Sequence, residues 1–233
     1  MTKSILFYFF LYIWTIFLGI IFIPFLFLPK ESLYKPAYIW IKGIFFLLKN
    51  ICGITYRIEG ITNIPDKDEF IIASKHQSAF ETLLLFSMFQ KAIFIHKYEL
   101  FFIPIFGLYL KKISMVSINR LGKSSALKKM LEDSKKKISK GHSLIIFPEG
   151  TRKIPGAKPA YKTGVAGIYK ELECNVLPVA LNSGLYWPKN SFILKPGEIV
   201  IEFLPIIKKG LNKKDFIEQL EKTIENKTSS LII

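Results

Sequence analysis

The sequence predicts an α/β fold, with helices packed on a central sheet, preceded by an amino-terminal hydrophobic helical region. Two observations predict it. After Gly53, short apolar runs rich in β-branched residues alternate with longer charged stretches of helical periodicity. Before Gly53, one long uncharged run dominates. We therefore expect membrane-anchoring helices over residues 1–53 and a single globular domain over residues 54–233.

The run from Ser4 to Pro29 contains no charged residue, and it exceeds the about 20 residues that a membrane-spanning helix needs. It ends at Leu28-Pro29-Lys30, without the small-residue cleavage site of a secretory signal, so we expect a retained anchor. Because Pro24 can kink the run, two interpretations stay open: a helix that spans the bilayer, or one that dips into a single leaflet.

A second apolar patch runs from Ala37 to Leu48 and is interrupted by Lys42. It suits a helix that lies in the membrane interface. More lysines follow the first apolar run than precede it. The positive-inside rule therefore predicts an inner (cytoplasmic) membrane protein whose globular domain faces the cytoplasm.

The following segments have the composition of strands: Thr55–Glu59, Phe70–Ser74, Ala92–Ile95, Ser114–Ile118, Ser143–Phe147, Val176–Ala180 and Ile199–Phe203. The longer periodic segments predict helices over Ala79–Gln90, Ser124–Lys140, Gly164–Leu172 and Lys213–Lys227. No internal repeat or long linker divides this part of the sequence.

The composition restricts the function classes. The 233 residues are 50% hydrophobic, with a mean hydropathy of +0.31, which excludes disordered and low-complexity chains. The net charge of +15 favours an anionic partner: nucleic acid, a membrane surface or a phosphorylated substrate. No nucleic-acid-binding motif accompanies the charge, so we expect no nucleic-acid partner. Cys52 and Cys174 show no disulfide or zinc spacing, so reduced thiols and no metal are expected.

The first segment with chemical content joins a strand to a helix and contains His76 and Glu81. On one continuous helix these residues would lie about 140° apart around the axis, too far for contact. If His76 precedes the helix, the Glu81 carboxylate can hold one imidazole nitrogen and leave the other basic. Ser78-x-x-Glu81 is also the pattern of a capping box, so a base relay and a helix cap both stay open.

Other polar residues follow predicted strands, where α/β sheets bind ligands. One strand opens into Pro148-Glu149-Gly150-Thr151-Arg152. In this turn Gly150 permits close approach to a ligand, and Arg152 offers a planar fork that matches phosphate. Lys97 and Arg120 follow two further strands. Taken singly, the turn is better explained as an ordinary Pro/Gly turn, and each cation as a solvated surface residue.

Together these segments resemble the glycerolipid acyltransferases, above all the bacterial 1-acyl-sn-glycerol-3-phosphate (lysophosphatidic acid) acyltransferases. The resemblance covers about residues 70–184. The family's four motifs are matched, in order, by His76-x4-Glu81, by Lys97-x-Glu99-Leu100 with Pro104, Gly107 and Asn119-Arg120, by Phe147–Arg152, and by Val176–Ala180. Glu81 stands where the family usually has Asp, which keeps the carboxylate and adds one methylene.

The resemblance implies a mixed central sheet flanked by helices and no metal or redox cofactor. It implies acyl transfer from acyl-CoA or acyl carrier protein to the sn-2 hydroxyl of 1-acyl-sn-glycerol 3-phosphate, which makes phosphatidic acid in phospholipid biosynthesis. His76 would be the general base and Glu81 its support. The acceptor phosphate would be bound by Lys97, Arg120 and Arg152, and the acceptor positioned by Glu149, Gly150 and Thr151.

Two alternatives stay open from the sequence. Another glycerol-phosphate or lysolipid acceptor would use the same phosphate-binding cations. A non-catalytic membrane lipid-binding protein could keep the fold without turnover. Glu81, which departs from the usual Asp of the family motif, is the one residue that leaves this alternative open. The donor is also open, although an acidic acyl carrier protein would be attracted to a basic chain in a salt-dependent manner.

Overall fold

The computed structural model describes residues 1–66, 69–89, 92–103, 106–113, 115–118 and 123–232. Within these ranges the strands are β1 (Ile54–Glu59), β2 (Ile71–Ser74), β3 (Ile93–Lys97), β4 (Val116–Ile118), β5 (Leu144–Ile146), β6 (Val176–Leu181) and β7 (Gly197–Phe203). The α-helices are α1 (Thr2–Ile21), α2 (Tyr34–Leu47), α3 (Phe80–Met88), α4 (Phe106–Ile113), α5 (Lys123–Ile138), α6 (Thr163–Leu172) and α7 (Lys213–Ser230).

The strands form one mixed sheet in the order β1-β7-β6-β2-β5-β3-β4. Neighbouring strands are parallel except for β6 and β7, which are antiparallel. Because β6, β2, β5, β3 and β4 are mutually parallel, their carboxyl ends meet at one edge of the sheet. In open α/β sheets this edge is where ligands bind.

The predicted α/β fold class is confirmed, and each predicted strand has a counterpart within a few residues. The four predicted helices correspond to α3, α5, α6 and α7. Helix α4 is a difference, because the sequence analysis assigned no helix there. Its eight residues follow a 3-10 turn over Tyr98–Phe102, and a helix this short gives only a weak periodic signal.

The alternation of side chains along the strands divides the core between the two faces of the sheet. Ile72 and Ile145 face a cluster that includes Phe80 and Leu84 of α3 and buried residues of α1 and α2. Their neighbours Ile71 and Ile146 face the opposite cluster, which is covered by α6 and α7. The sheet is therefore buried on both faces, as parallel sheets are.

Helices α1 and α2 pack against each other through reciprocal tryptophan hydrogen bonds. The indole of Trp14 donates to the Trp40 carbonyl at 3.1 Å, and the indole of Trp40 donates to the Thr15 hydroxyl at 3.0 Å. Helix α1 ends at Ile21, and a 3-10 turn that contains Pro24 follows it. The uncharged run is thus a helix followed by a turn, as the missing N–H of proline favours.

Helix α1 is the one helix in the described part of the chain that is long and apolar enough to cross a membrane, with a mean hydropathy of 2.2. It is tied to the globular domain near both of its ends. The Ser4 hydroxyl accepts a hydrogen bond from the Leu194 amide at 3.0 Å, and the Tyr109 hydroxyl donates to the Gly19 carbonyl at 2.9 Å. The helix therefore lies along the domain, over a length of about 22 Å at about 1.5 Å per residue.

Candidate active site

The candidate site begins where β2 ends. The chain leaves the sheet after Ser74 and runs through His76 in a non-helical conformation, and α3 starts only at Phe80. This offset brings the His76 ring back over the first turn of the helix. Nδ1 of His76 lies 2.8 Å from Oε1 of Glu81. The two residues that a continuous helix would hold apart are therefore in contact.

The Glu81 carboxylate is fully buried and is surrounded by donors. Oε1 accepts hydrogen bonds from the amides of Gln77 and Ser78, both at 2.7 Å, in addition to the His76 contact. Oε2 accepts a hydrogen bond from the Ser183 hydroxyl at 2.7 Å. Because a carboxylate only accepts, Nδ1 of His76 must carry the proton in this contact. Nε2 is then left with a lone pair that can take up a proton.

The carboxylate holds both the histidine and the backbone that leads into α3. Its bond to the Ser78 amide is the backward half of a capping box. The forward half differs from the expected pattern, since the Ser78 hydroxyl accepts from the Phe80 amide at 3.2 Å and not from the Glu81 amide. The histidine contact is therefore present together with half of the capping-box pattern, although the N-cap residue of α3, Ala79, makes no side-chain cap hydrogen bond.

Phe147, which follows β5, fixes the plane of the His76 ring. The two rings stack with centroids 3.8 Å apart and an interplanar angle of 15°. The His76 side chain is 16% exposed, so the stacked ring keeps an accessible edge. Stacking from one side and the Glu81 contact from another leave the imidazole little rotational freedom.

The turn after Phe147 lies directly against the His76 segment. Gly150 has φ of 64°, a left-handed conformation that glycine adopts without strain, and its amide donates to the Phe147 carbonyl at 2.8 Å. The Lys153 amide donates to the His76 carbonyl at 2.8 Å. The two segments that the sequence singled out are therefore joined by a backbone hydrogen bond.

Glu149 is turned inward and not toward a ligand. Its Oε1 lies 2.9 Å from Nζ of Lys75, and its Oε2 accepts the His76 amide at 3.2 Å. Only 1% of the residue is exposed. Burial raises the pKa of Glu149 above its usual value, and the charge of Lys75 opposes that rise. The placement favours positioning of the turn over direct contact with a substrate.

The three cations expected to bind phosphate are described to different extents. Arg152 is exposed in the turn that follows Gly150. Lys97 is the last residue of β3 at the carboxyl edge of the sheet, and its side chain lies outside what the structure describes. Arg120 falls outside the described residues. The hydroxyl of Thr151 accepts a hydrogen bond from Nζ of Lys189 at 3.4 Å, which adds a cation that the motifs did not indicate.

A family model for acyltransferases matches residues 55–182, more than half of the chain, and spans the His76 segment and the Glu149 turn. The chain belongs to the acyltransferase family. The resemblance inferred from the four motifs is thereby confirmed, and the chain is an enzyme of the acyl-transferring class.

Named relatives agree with this assignment. The chain is 34% identical over 179 residues to the 1-acyl-sn-glycerol-3-phosphate acyltransferase of Pseudomonas aeruginosa, covering 76% of this chain and 69% of that protein. The enzyme of the same name from Borreliella burgdorferi is 27% identical, covering 83% and 75%. The crystal structure of the 1-acyl-sn-glycerophosphate acyltransferase from Thermotoga maritima superposes with a TM-score of 0.81 at 24% identity, covering 99% and 95%. That likeness extends the shared fold to the amino-terminal helices.

Besides Lys189, two buried residues of this candidate site were given no role in the sequence analysis. Ser183, which bonds to Glu81, follows β6 and belongs to no charged or titratable class. Its only sequence signal was its position after a strand whose carboxyl end reaches the site. Lys75 precedes His76 and reads as a solvated lysine, yet it is 2% exposed. A lysine directly between a buried strand and the candidate base His76 is the signal that could have found it.

Proposed function

We propose that the protein transfers an acyl chain from an acyl thioester to the sn-2 hydroxyl of 1-acyl-sn-glycerol 3-phosphate and so makes phosphatidic acid. The observation that carries the proposal is the 2.8 Å contact between His76 and a buried Glu81, beside the Arg152 turn, in a chain of the acyltransferase family. The names of the relatives support the choice of acceptor.

The chemistry follows from the His76 tautomer. Nε2 removes the proton of the acceptor hydroxyl while the oxygen attacks the thioester carbonyl, and Glu81 stabilises the imidazolium that forms. The carbonyl π electrons move to oxygen, and their return expels the thiolate as the C–S bond breaks. The imidazolium then gives its proton to the departing sulfur. Acid and base are thus restored in each turnover, and no acyl group is attached to the protein.

We place the acceptor phosphate near Arg152, with Lys97 and Arg120 as further candidate contacts. Guanidinium groups bind phosphate with two parallel hydrogen bonds. Gly150 and Thr151 shape this turn from the outside, and Glu149 holds it from the inside. We propose either acyl-CoA or acyl carrier protein as the acyl donor. If added salt lowers the rate with acyl carrier protein more steeply than the rate with acyl-CoA, the protein donor is favoured.

An acceptor panel tests the substrate. We expect purified protein to acylate lysophosphatidate at least about tenfold faster than monoacylglycerol, because the loss of charge-assisted phosphate contacts costs about 1.5–3 kcal/mol each. Arg152→Gln should shrink that preference by raising KM for lysophosphatidate. Transfer rates with a labelled acyl thioester measure both effects.

Each other outcome of the panel is informative. A stronger rate with glycerol 3-phosphate or a lysolipid with a larger head group would replace the acceptor. Folded wild-type protein that binds lysophospholipid vesicles without any transfer would contradict the enzymatic proposal and favour a lipid-binding protein.

We also propose that the protein is monotopic, with α1 lying in the cytoplasmic leaflet of the inner membrane. Both ends of α1 are held by the globular domain, through Leu194 and Tyr109. A helix that crossed the bilayer could not keep both contacts unless the domain also entered the membrane. Along its length α1 exposes large apolar side chains, including Phe9, Ile13 and Phe17. An apolar stripe on a helix that lies flat is suited to the boundary of head groups and acyl chains.

Cysteine labelling distinguishes the two topologies. Thr2→Cys and Lys158→Cys each place an exposed thiol, in the amino-terminal helix and in the globular domain, while the native Cys52 and Cys174 are buried. We expect an impermeant maleimide to label both variants from the same side of sealed membrane vesicles. Labelling of Thr2→Cys only from the opposite side would show that α1 spans the bilayer.

A further inference from the structure

A largely buried ionic network adjoins the segment that carries His76. Its centre is Lys75, whose side chain is 3% exposed. Nζ of Lys75 lies 2.9 Å from Oε1 of Glu149 and 2.7 and 2.9 Å from the two carboxylate oxygens of Glu225 in α7. The hydroxyl of Tyr161 donates to Oε1 of Glu225 at 3.0 Å. The three donors of the ammonium group are therefore occupied.

The network connects three parts of the fold that are distant in sequence. Lys75 belongs to the segment that carries the base, Glu149 to the turn that precedes Arg152, and Glu225 to the carboxyl-terminal helix. The second carboxylate oxygen of Glu149 accepts a hydrogen bond from the His76 amide. One carboxylate thus holds the side chain of Lys75 and the backbone of the residue that follows it.

A purely stabilising role explains this arrangement poorly. One ammonium faces two carboxyl groups, so a single positive charge has to serve both of them. Desolvation of such groups often cancels their mutual attraction, which makes buried ion pairs weak contributors to stability. Burial and the neighbouring Glu225 raise the pKa of Tyr161, so its hydroxyl stays a neutral donor and adds no charge.

We propose that Lys75, Glu225 and Tyr161 are positioning residues, which hold Glu149 so that His76 and the Arg152 turn keep their relative placement. Helix α7 is then part of the catalytic apparatus, although it contributes no group to the substrate side. The inference rests on the proposed acyltransferase function and deepens it. When Glu225 loses its negative charge, it no longer balances the charge of Lys75. Glu149 then loses its fixed orientation and releases the His76 amide.

The test compares kcat per folded molecule, with stability measured in parallel. Glu225→Gln keeps the shape of the side chain and removes its charge, and we expect kcat to fall about tenfold or more, since a displacement of about 1 Å in a site can cost about 10²-fold. Tyr161→Phe should give a smaller loss in the same direction. Glu225→Asp, which restores a carboxylate, should recover part of the kcat lost in Glu225→Gln.

Lys227→Met is the matched control. Lys227 lies on the same helix and pairs with Glu202 of β7 at 2.8 Å, away from the Lys75 network. We expect it to leave kcat unchanged whatever it does to the melting temperature. If Lys75→Met folds, its loss and that of Glu225→Gln should be non-additive in the double variant, because both act through Glu149.

The result that overturns the inference is a lower melting temperature in Glu225→Gln and Tyr161→Phe with wild-type kcat. Equal losses in Lys227→Met would overturn it too. A failure of the proposed function looks different: wild-type protein would then be inactive with lysophosphatidate. An active wild type with unaffected network variants rejects the positioning role alone.

Discussion

Replacing His76 with alanine is expected to lower kcat/KM for acyl transfer to lysophosphatidate by about 10³-fold, in the middle of the about 10²–10⁴ range of general-base catalysis. The reason is local. The ring is held between Phe147 and Glu81, so Nδ1 carries a proton and Nε2 has a free lone pair. No other described side chain in contact with Glu81 can serve as a base. The measurement is steady-state transfer from a labelled thioester, with circular dichroism to verify folding.

His142→Ala provides the control for His76→Ala. His142 lies in the turn after α5, at the amino-terminal side of β5 and therefore at the opposite edge of the sheet from His76. We expect its activity to remain within about twofold of wild type, the range of ordinary surface changes. If His76→Ala retained more than a tenth of the wild-type activity, the base role of His76 would be contradicted. A substrate-assisted reaction would then be favoured.

The sheet could be predicted because its strands are short, apolar and β-branched, and each one is bounded by turn residues. Their order could not, since parallel pairing such as β2 with β5 and β6 depends on contacts between distant segments. The same limit applies to β7, whose antiparallel pairing with β6 has no local signal. Helix α4 escaped prediction because it is the shortest α-helix in the described residues and spans only about two turns.

The site was predictable where it rests on side-chain chemistry. His76, Glu81 and the Glu149 turn carry recognisable groups at recognisable spacing, and the structure brings them together. What the sequence could not supply was the direction of each side chain. Glu149 was expected to shape the turn and position the acceptor, and the sequence did not indicate that it does so through contacts with Lys75 and the His76 amide. Spacing along the chain does not tell whether a polar group after a strand points outward or back into the core.

The amino-terminal region shows a related limit. The length and the hydropathy of the apolar run agree equally well with a helix that spans the membrane and with a helix that lies on the domain. The polar contacts of Ser4 and Tyr109 hold α1 against the rest of the chain and support the proposed flat arrangement, and no hydropathy pattern contains such contacts. Pro24 was the one local signal, and it correctly indicated that the helix does not continue through the run.

Replacing Glu81 with glutamine is expected to lower kcat by about 10²-fold while the protein remains folded. The glutamine oxygen can still accept from His76, Gln77 and Ser78, and its NH₂ group can donate to the Ser183 hydroxyl, so the cap survives. What is lost is the negative charge that stabilises the imidazolium in the transition state. In a hydrolase triad, exchange of the carboxylate for an amide costs up to about 10⁴-fold.

Glu81→Asp and Asn212→Ala separate the relay from the cap. Aspartate keeps the charge with a shorter reach, so we expect it to retain more activity than glutamine while losing some of the four contacts. Asn212 caps α7 by accepting from the Lys214 and Asp215 amides, both at 3.0 Å. Its loss should cost about 1 kcal/mol of stability without a change in kcat. If Glu81→Gln kept the wild-type kcat, as we expect for Asn212→Ala, Glu81 would be a cap alone and His76 would act without a carboxylate partner.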